Sequence, residues 1–498
     1  MIILITLIVI LIALLTGWIL KTIKRPPNFP PGPKWWPYVG NTYQLRKLAR
    51  DIGGQHLAFE LWAQKYNSDI IGLKLGSEYV IVAFSYPHVR QIHTNEVFEG
   101  RPDNFFLRLR TMGTRMGITC TDGALWNEHR NFATRHLRQA GYGRLPMDLQ
   151  IKNELVELLS IIEDYNGWPV WPGNFLAPSV INVLWALTAG KRIERHDERL
   201  QRLLELFQRR TKIFDICGGL LSQFPWLRYI APEKTGYNLI KQFNQELHNF
   251  FMETINEHKN TYSDDKAKDD LIYAYIKEMK ERENEVNHTF TDHQLTMTIL
   301  DIFIAGAQTT SNTLDLALMM MVVRPDIQEK IQCEIDSKLS SKDFSVADSK
   351  IKLPFTEAFL MEVQRFFHIV PISGPRRALK DVKLGNYNIP KNTTVLIGLK
   401  SVLMDKNYWG DPECFRPERF LDDEIYTTIS SEYFMPFGQG KRRCLGDSLA
   451  RSCLHTFFVG ILKNFKLKLG AKETIPSLNL IPGLTLSAKP YKISFLPR

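Results

Sequence analysis

The chain has 498 residues, of which 44% are hydrophobic and 23% charged, and its formal net charge is +10. This length and composition exclude a small disulfide-stapled module and extended disorder, leaving either two or three domains or one unusually large globular unit. The charge suits an anionic membrane or an acidic protein partner, while the lack of a concentrated basic tail or a nucleic-acid module predicts no nucleic-acid partner.

The first twenty residues, MIILITLIVILIALLTGWIL, carry no charge. As a helix rising about 1.5 Å per residue they reach roughly 30 Å, enough to cross a bilayer core. A cleaved signal peptide would begin with basic residues and end in a small-residue cleavage site. Here Lys21, Lys24 and Arg25 follow the apolar run instead. Residues 1–20 therefore read as an uncleaved transmembrane anchor, with the rest of the chain held on the cytoplasmic side. Residues 21–37 form a basic, proline-rich hinge (RPPNFPPGPKWWP from 25 to 37) that stops the anchor helix and favours an extended, semi-rigid spacer. Trp35 and Trp36 are expected near the membrane interface.

The body, residues 38–498, shows no repeat and no low-complexity gap. IIGLKLGSEYVIVAF, residues 70–84, reads as a β-hairpin, and apolar periodicity predicts helices at 147–160, 196–210, 238–258, 292–323, 325–338, 354–367 and 446–463. A mainly α body with a small β region follows. Trp126 and Arg130, four apart, share a helix face. The 292–323 helix begins at a capping-box pattern, Thr291 with Gln294, stops at Arg324-Pro325, and is apolar on nearly all faces, so it belongs in the core. Within it AGAQTTSNT, residues 305–313, places small and polar residues where apolar ones would pack better. Either these hydroxyls bond to carbonyls one turn back, or a flat ligand lies against Ala305, Gly306 and Thr309.

Glu362 and Arg365 lie three apart on the 354–367 helix. A surface ion pair would contribute little, but the surrounding residues are apolar, and a buried pair needs further partners, with Arg419 in FRPERF as the candidate. Near the C-terminus, FMPFGQGKRRCLGDS at 434–448 sets one cysteine, Cys444, after three cations and just before a helix start. The six cysteines show no close paired spacing, which argues against zinc or a disulfide scaffold and suits a reduced compartment. An inert buried thiol, a reactive thiol and the axial thiolate of a haem iron remain as readings of Cys444.

PFGQGKRRCLG, residues 436–446, resembles the haem-binding signature of cytochromes P450, with Phe437, Gly440, Arg442, Cys444 and Gly446 in matching places. Glu362-Val-Gln-Arg365 resembles the family's ExxR element, AGAQTT its oxygen-activating motif, and Trp126-Asn-Glu-His-Arg130 its propionate-holding motif. The order matches over essentially the whole chain. The resemblance implies a P450 fold behind an N-terminal transmembrane helix, with haem b (iron protoporphyrin IX) as cofactor and Cys444 as its metal ligand. It assigns Trp126, Arg130, Arg376, Phe437 and Arg442 to the cofactor, and Thr309 and Gln308 to catalysis. Gln308 stands where the family usually has an acid, and an amide cannot carry a proton as an acid does. It either bears on the proton path or holds geometry.

Residues 99–138 resemble the insect members of the family's second animal clan, in particular methyl farnesoate epoxidases of juvenile hormone synthesis and their sister group. The resemblance implies a monooxygenase on the cytoplasmic face of the endoplasmic reticulum membrane, fed with electrons from NADPH by a P450 reductase, with cytochrome b5 as an optional second donor. The chain itself has no dinucleotide motif. The substrate is expected to be lipophilic, a sesquiterpenoid first and a steroid, fatty acid or xenobiotic second; a haem sensor without turnover is the non-enzymatic alternative. The expected lining includes Phe105, Phe106, Leu109, Met112, Met116, Ile118, Ile302, Ala305, Gly306, Ile369, Val370, Ile372 and Leu484, with Arg108 and Arg110 facing solvent. Lys441 and Arg443 are expected on the reductase-facing side.

Overall fold

The uncharged N-terminal run forms one helix, Ile2–Ile23, whose hydrophobic side chains are exposed along its length. Among the described residues it is the one helix long and apolar enough to span a membrane. The computed structural model describes residues 2–139, 145–195, 197–211, 219–339, 351–422, 424, 426–429, 431–470, 473–483 and 485–498. The proline-rich segment is tied down. Arg25 donates to the carbonyls of Pro30, Gly32 and Pro33 at 2.9, 2.7 and 2.8 Å, and the Gly72 N–H donates to Pro31 O at 2.7 Å. This packing corrects one expectation: Trp35 is buried, stacked on Tyr79 with centroids 5.7 Å apart, and only Trp36 is exposed.

The β part is small. Strands β1 (Ile70–Leu75) and β2 (Glu78–Ala83) form the predicted hairpin, with Gly76 at φ +60 in the turn. They join β3 (Arg376–Arg377) and β6 (Thr394–Ile397) in a four-stranded sheet of order β1-β2-β6-β3, in which β2 and β6 run parallel. The pairs β4 (Val382–Leu384) with β5 (Tyr387–Ile389) and β7 (Phe465–Leu469) with β8 (Ile493–Pro497) complete it.

Everything else that is regular is helical, and the helix Asp292–Val323 runs through the centre. Its 32 residues reach about 48 Å at 1.5 Å per residue. The capping box is half formed: Thr291 Oγ1 accepts from the Gln294 N–H at 3.2 Å. The Gln294 side chain turns instead to Gly117, where its Oε1 accepts from the N–H at 2.9 Å. The helix sits between two apolar clusters, one with the C-terminal helix Asp447–Asn464 and Pro354–Phe367, the other with Glu198–Thr211 and Tyr237–Asn260. Its middle packs on Gly173–Ala189, which is buried on almost all sides. A Cβ on Gly306 would overlap Leu184 of that helix, so the room at Gly306 serves helix–helix approach.

Candidate active site

The loop before the C-terminal helix is wound by its own backbone. The Cys444 N–H donates to Phe437 O at 2.9 Å, the Arg443 N–H to Gly440 O at 3.1 Å, and the Gly438 N–H to Met435 O at 3.0 Å. Gly440 has φ +73, and a Cβ there would overlap the His93 carbonyl oxygen, so glycine is required for both reasons. Phe437 lies under the guanidinium of Arg451, 4.8 Å from its ring centroid. The Cys444 side chain opens into an internal cavity of about 520 Å³. Burial pushes its thiol pKa up, against the downward pull of the Gly446 N–H. The adjacent cations therefore do not by themselves make it a thiolate, contrary to what the run Lys441-Arg442-Arg443 suggests. A bound metal cation would supply the missing stabilisation.

Trp126, Arg130, Gln308, Thr309, Phe437, Arg442 and Cys444 all line this one cavity, and Arg376 is buried just behind it. The indole of Trp126 and the guanidinium of Arg442 are stacked at 3.7 Å. Arg130 Nη2 donates to Arg443 O at 2.7 Å. Burial, then Arg101 and Arg376, lower the Arg442 pKa to about 8. Burial and Arg101 lower that of Arg376 to about 9. These cations crowd one another while leaving Arg101 Nε, Arg376 Nη1, and Arg442 Nε and Nη1 buried without acceptors among the described residues. The nearby carboxylate of Asp122 is already engaged, by Arg115 at 2.5 Å and Arg377 at 2.9 Å. Clustered, uncompensated donors of this kind fit a guest carrying paired carboxylates, and a sulfur donor facing the same space fits a soft metal centre in it. The residues present fit haem.

On the opposite wall the long helix presents Ala305 to the cavity. Thr309 Oγ1 donates to Ala305 O at 3.0 Å, the back-bonded arrangement open to it from the sequence, which still leaves its oxygen free to accept. Gln308 Oε1 is buried with no donor among the described residues. Phe106, Ile118, Ile302, Ile369, Val370 and Ile372 line the cavity as expected. Phe105, Leu109, Met112 and Met116 do not: the two methionines pack against a core cluster, and the Phe105 ring faces Tyr237. Leu484 lies outside the described residues.

The Glu362–Arg365 pair is fully buried, with Arg365 Nε 2.7 Å from Glu362 Oε2 and Nη2 2.8 Å from Oε1. Arg419 is the expected third member, its Nε 3.1 Å from Glu362 Oε2. Sequence reasoning missed the polar part of the cavity. Arg108 pairs with exposed Asp103, but Arg110, expected in solvent, is buried, its Nη1 2.6 Å from Asp301 Oδ1. Arg101, Glu78 and Arg210 also line the wall. Burial raises the Glu78 pKa to about 7.

Residues 30–495 match the family Cytochrome P450. A probable cytochrome P450 305a1 of Drosophila melanogaster is 54% identical, over 98% of this chain and 99% of its own length. Farnesoate epoxidase of Bombyx mori is 36% identical over 98% of each, and human cytochrome P450 2J2 31% identical over 95% of this chain and 92% of its own. With a cysteine and a buried arginine cluster facing one cavity beneath the central helix, and a family match over nearly its whole length, the chain belongs to the cytochromes P450 and is a haem-thiolate monooxygenase of the microsomal insect type.

Proposed function

We propose that this monooxygenase epoxidises methyl farnesoate or a related sesquiterpenoid. The single observation that carries the reading is the likeness to farnesoate epoxidase along almost the entire chain, and the predominantly apolar cavity over Cys444 supports a lipophilic substrate. In this reading Cys444 holds the iron, Phe437 shields the sulfur, and the Gly446 N–H tunes its electron donation. Trp126, Arg130, Arg376 and Arg442 would bind the propionates, Arg376 and Arg442 through buried donors that have no acceptor among the described residues. Bound there, the haem supplies activation of O₂ with electrons delivered from NADPH. Thr309 offers a hydrogen-bond acceptor at the helix wall, and Gln308 an amide oxygen that holds a water or substrate group beside it.

Residues 1–20 would anchor the enzyme in the endoplasmic reticulum membrane, residues 21–37 would fix its pose there, and residues 38–498 would form the catalytic domain on the cytoplasmic face. The reductase would dock on the side of Lys441 and Arg443. Reconstitution with reductase, NADPH and a panel of methyl farnesoate, farnesoic acid, fatty acids and steroids tests the reading. Epoxide formed from a sesquiterpenoid is the expected result; turnover of another class with none of the sesquiterpenoids overturns it.

A further inference from the structure

The cavity holds a second group of charges that the cofactor does not need. Arg110 is neutralised by Asp301, whose Oδ1 takes the guanidinium at 2.6 Å while its Oδ2 accepts the N–H groups of Ile118 and Thr119, each at 2.7 Å. Every oxygen of that carboxylate is committed. Arg210, at the end of the helix Glu198–Thr211, lines the same cavity and is only 6% exposed. It makes no ion pair and donates no hydrogen bond to any described residue; its guanidinium lies 4.9 Å from the Phe243 ring centroid. Burial, then the neighbouring cation Arg110, lower the Arg210 pKa to about 9, with Cys120 pulling weakly the other way. Glu78, the other carboxylate on the cavity wall, is held by Asn104 and Thr394 instead. Arg376 stands on β3 and Arg442 on the Cys444 loop against Trp126, whereas Arg210 stands on the helix Glu198–Thr211 against Phe243, a different part of the wall. A buried cation without an acceptor is costly unless a ligand supplies the anion.

We infer that Arg210 is a specificity-determining residue that binds the carboxylate of an apolar monocarboxylic acid, so that the substrate is a free acid and not its ester. The inference refines the sesquiterpenoid reading, selecting farnesoic acid over methyl farnesoate, and it rests on that reading only for the identity of the chain.

The test is spectral titration of the haem-loaded, full-length enzyme with four probes: farnesoic acid, methyl farnesoate, palmitic acid and methyl palmitate. One charge-assisted interaction in a desolvated site predicts acids bound about 10- to 100-fold tighter than the matching esters. Arg210→Leu should erase that ratio while leaving ester affinity unchanged, and Arg210→Lys should keep part of it. Should the leucine variant fail to take up haem, Arg210→Gln carries the same comparison. An acid-to-ester ratio near one in the unmodified enzyme, or one that survives loss of Arg210, overturns the inference. Preference for palmitic acid that depends on Arg210, without binding of either sesquiterpenoid, supports the carboxylate site and overturns the sesquiterpenoid reading. Preferred binding of methyl farnesoate does the reverse.

Discussion

Replacing Arg365 by methionine keeps an unbranched stem and removes the guanidinium cation beneath the cavity. Four hydrogen bonds to oxygen are lost: two to Glu362, at 2.7 and 2.8 Å, one to Leu403 O at 3.0 Å and one to Pro412 O at 2.8 Å. Breaking a buried ion pair from one side costs about 3–5 kcal/mol, and each stranded carbonyl about 1–3 kcal/mol. Glu362 retains Arg419 and the Arg416 N–H at 2.9 Å, which offsets part of the loss. The net expectation is a destabilisation of about 5 kcal/mol, comparable with the whole stability of many domains. The purified variant should therefore hold little haem, melt far below the parent and be cleaved quickly by protease. The double replacement Glu362→Met with Arg365→Met should not rescue it, because the Leu403 and Pro412 carbonyls and the Arg416 N–H would still lack their partners, while Arg419 would keep only Asp411 and nearby carbonyls. This distinguishes the triad from an isolated buried pair, where apolar replacement of both members is often tolerated. An Arg365→Met enzyme with full haem content and a melting temperature within about 2 °C of the parent would refute the reasoning.

Three further outcomes are expected. Cys444→Ser should abolish the reduced carbon-monoxide band at about 450 nm, and a surviving band would detach Cys444 from the iron. Gln308→Glu places an acid where an unpaired amide oxygen now sits; it should change the ratio of product to NADPH consumed, whereas an unchanged ratio limits Gln308 to holding geometry. Asp315 is buried, accepts from Tyr491 Oη at 2.8 Å, and has its pKa raised by burial to about 7. Because that value exceeds the unfolded one of about 3.9, the folded state holds the proton more tightly. The resulting stability is complete below the unfolded pKa and is lost as pH rises through the folded one, by about 4 kcal/mol at most. Denaturation midpoints should fall between about pH 5 and pH 8 in the parent and much less in Asp315→Asn; equal slopes would refute the assignment.

The elements legible in the sequence were those with local signals. The helices Asp292–Val323, Pro325–Lys338 and Pro354–Phe367 have the predicted bounds because Thr291 caps the first and a proline opens each of the others. The helix Gly173–Ala189 escaped because it is apolar all round, carries Pro178 and has no stripe to read. Arg365 and Glu362 were legible because an ion pair at helical spacing stood among apolar residues. Arg110, Asp301 and Arg210 were not, since they come from three helices separated by 91 residues or more, and no local pattern tells a buried arginine from a solvated one. Only Asp301 offered a signal, as one of two acids, with Asp315, inside the apolar run Leu295–Val323.

The arginines show how one residue type marks separate functions through its counter-charge. Arg365 shares Glu362 with Arg419, Arg110 has Asp301, and Arg377 shares Asp122 with Arg115, so each of these has an anion within the protein. Arg376 and Arg210 are buried and Arg442 half-buried along or behind the same cavity, yet none has a carboxylate within ion-pair distance among the described residues. Folding alone does not favour such positions, because each desolvated cation costs several kcal/mol. Anions that arrive from outside the chain would offset that cost. Arg442 stacks on Trp126 at the Cys444 loop, and in the proposed assignment it and Arg376 would meet the carboxylates of the cofactor; Arg210 stands on the helix Glu198–Thr211. Under the proposal for Arg210 that third charge would be left for the substrate, and the position of the anion on the substrate would then decide which carbon comes to rest near Cys444.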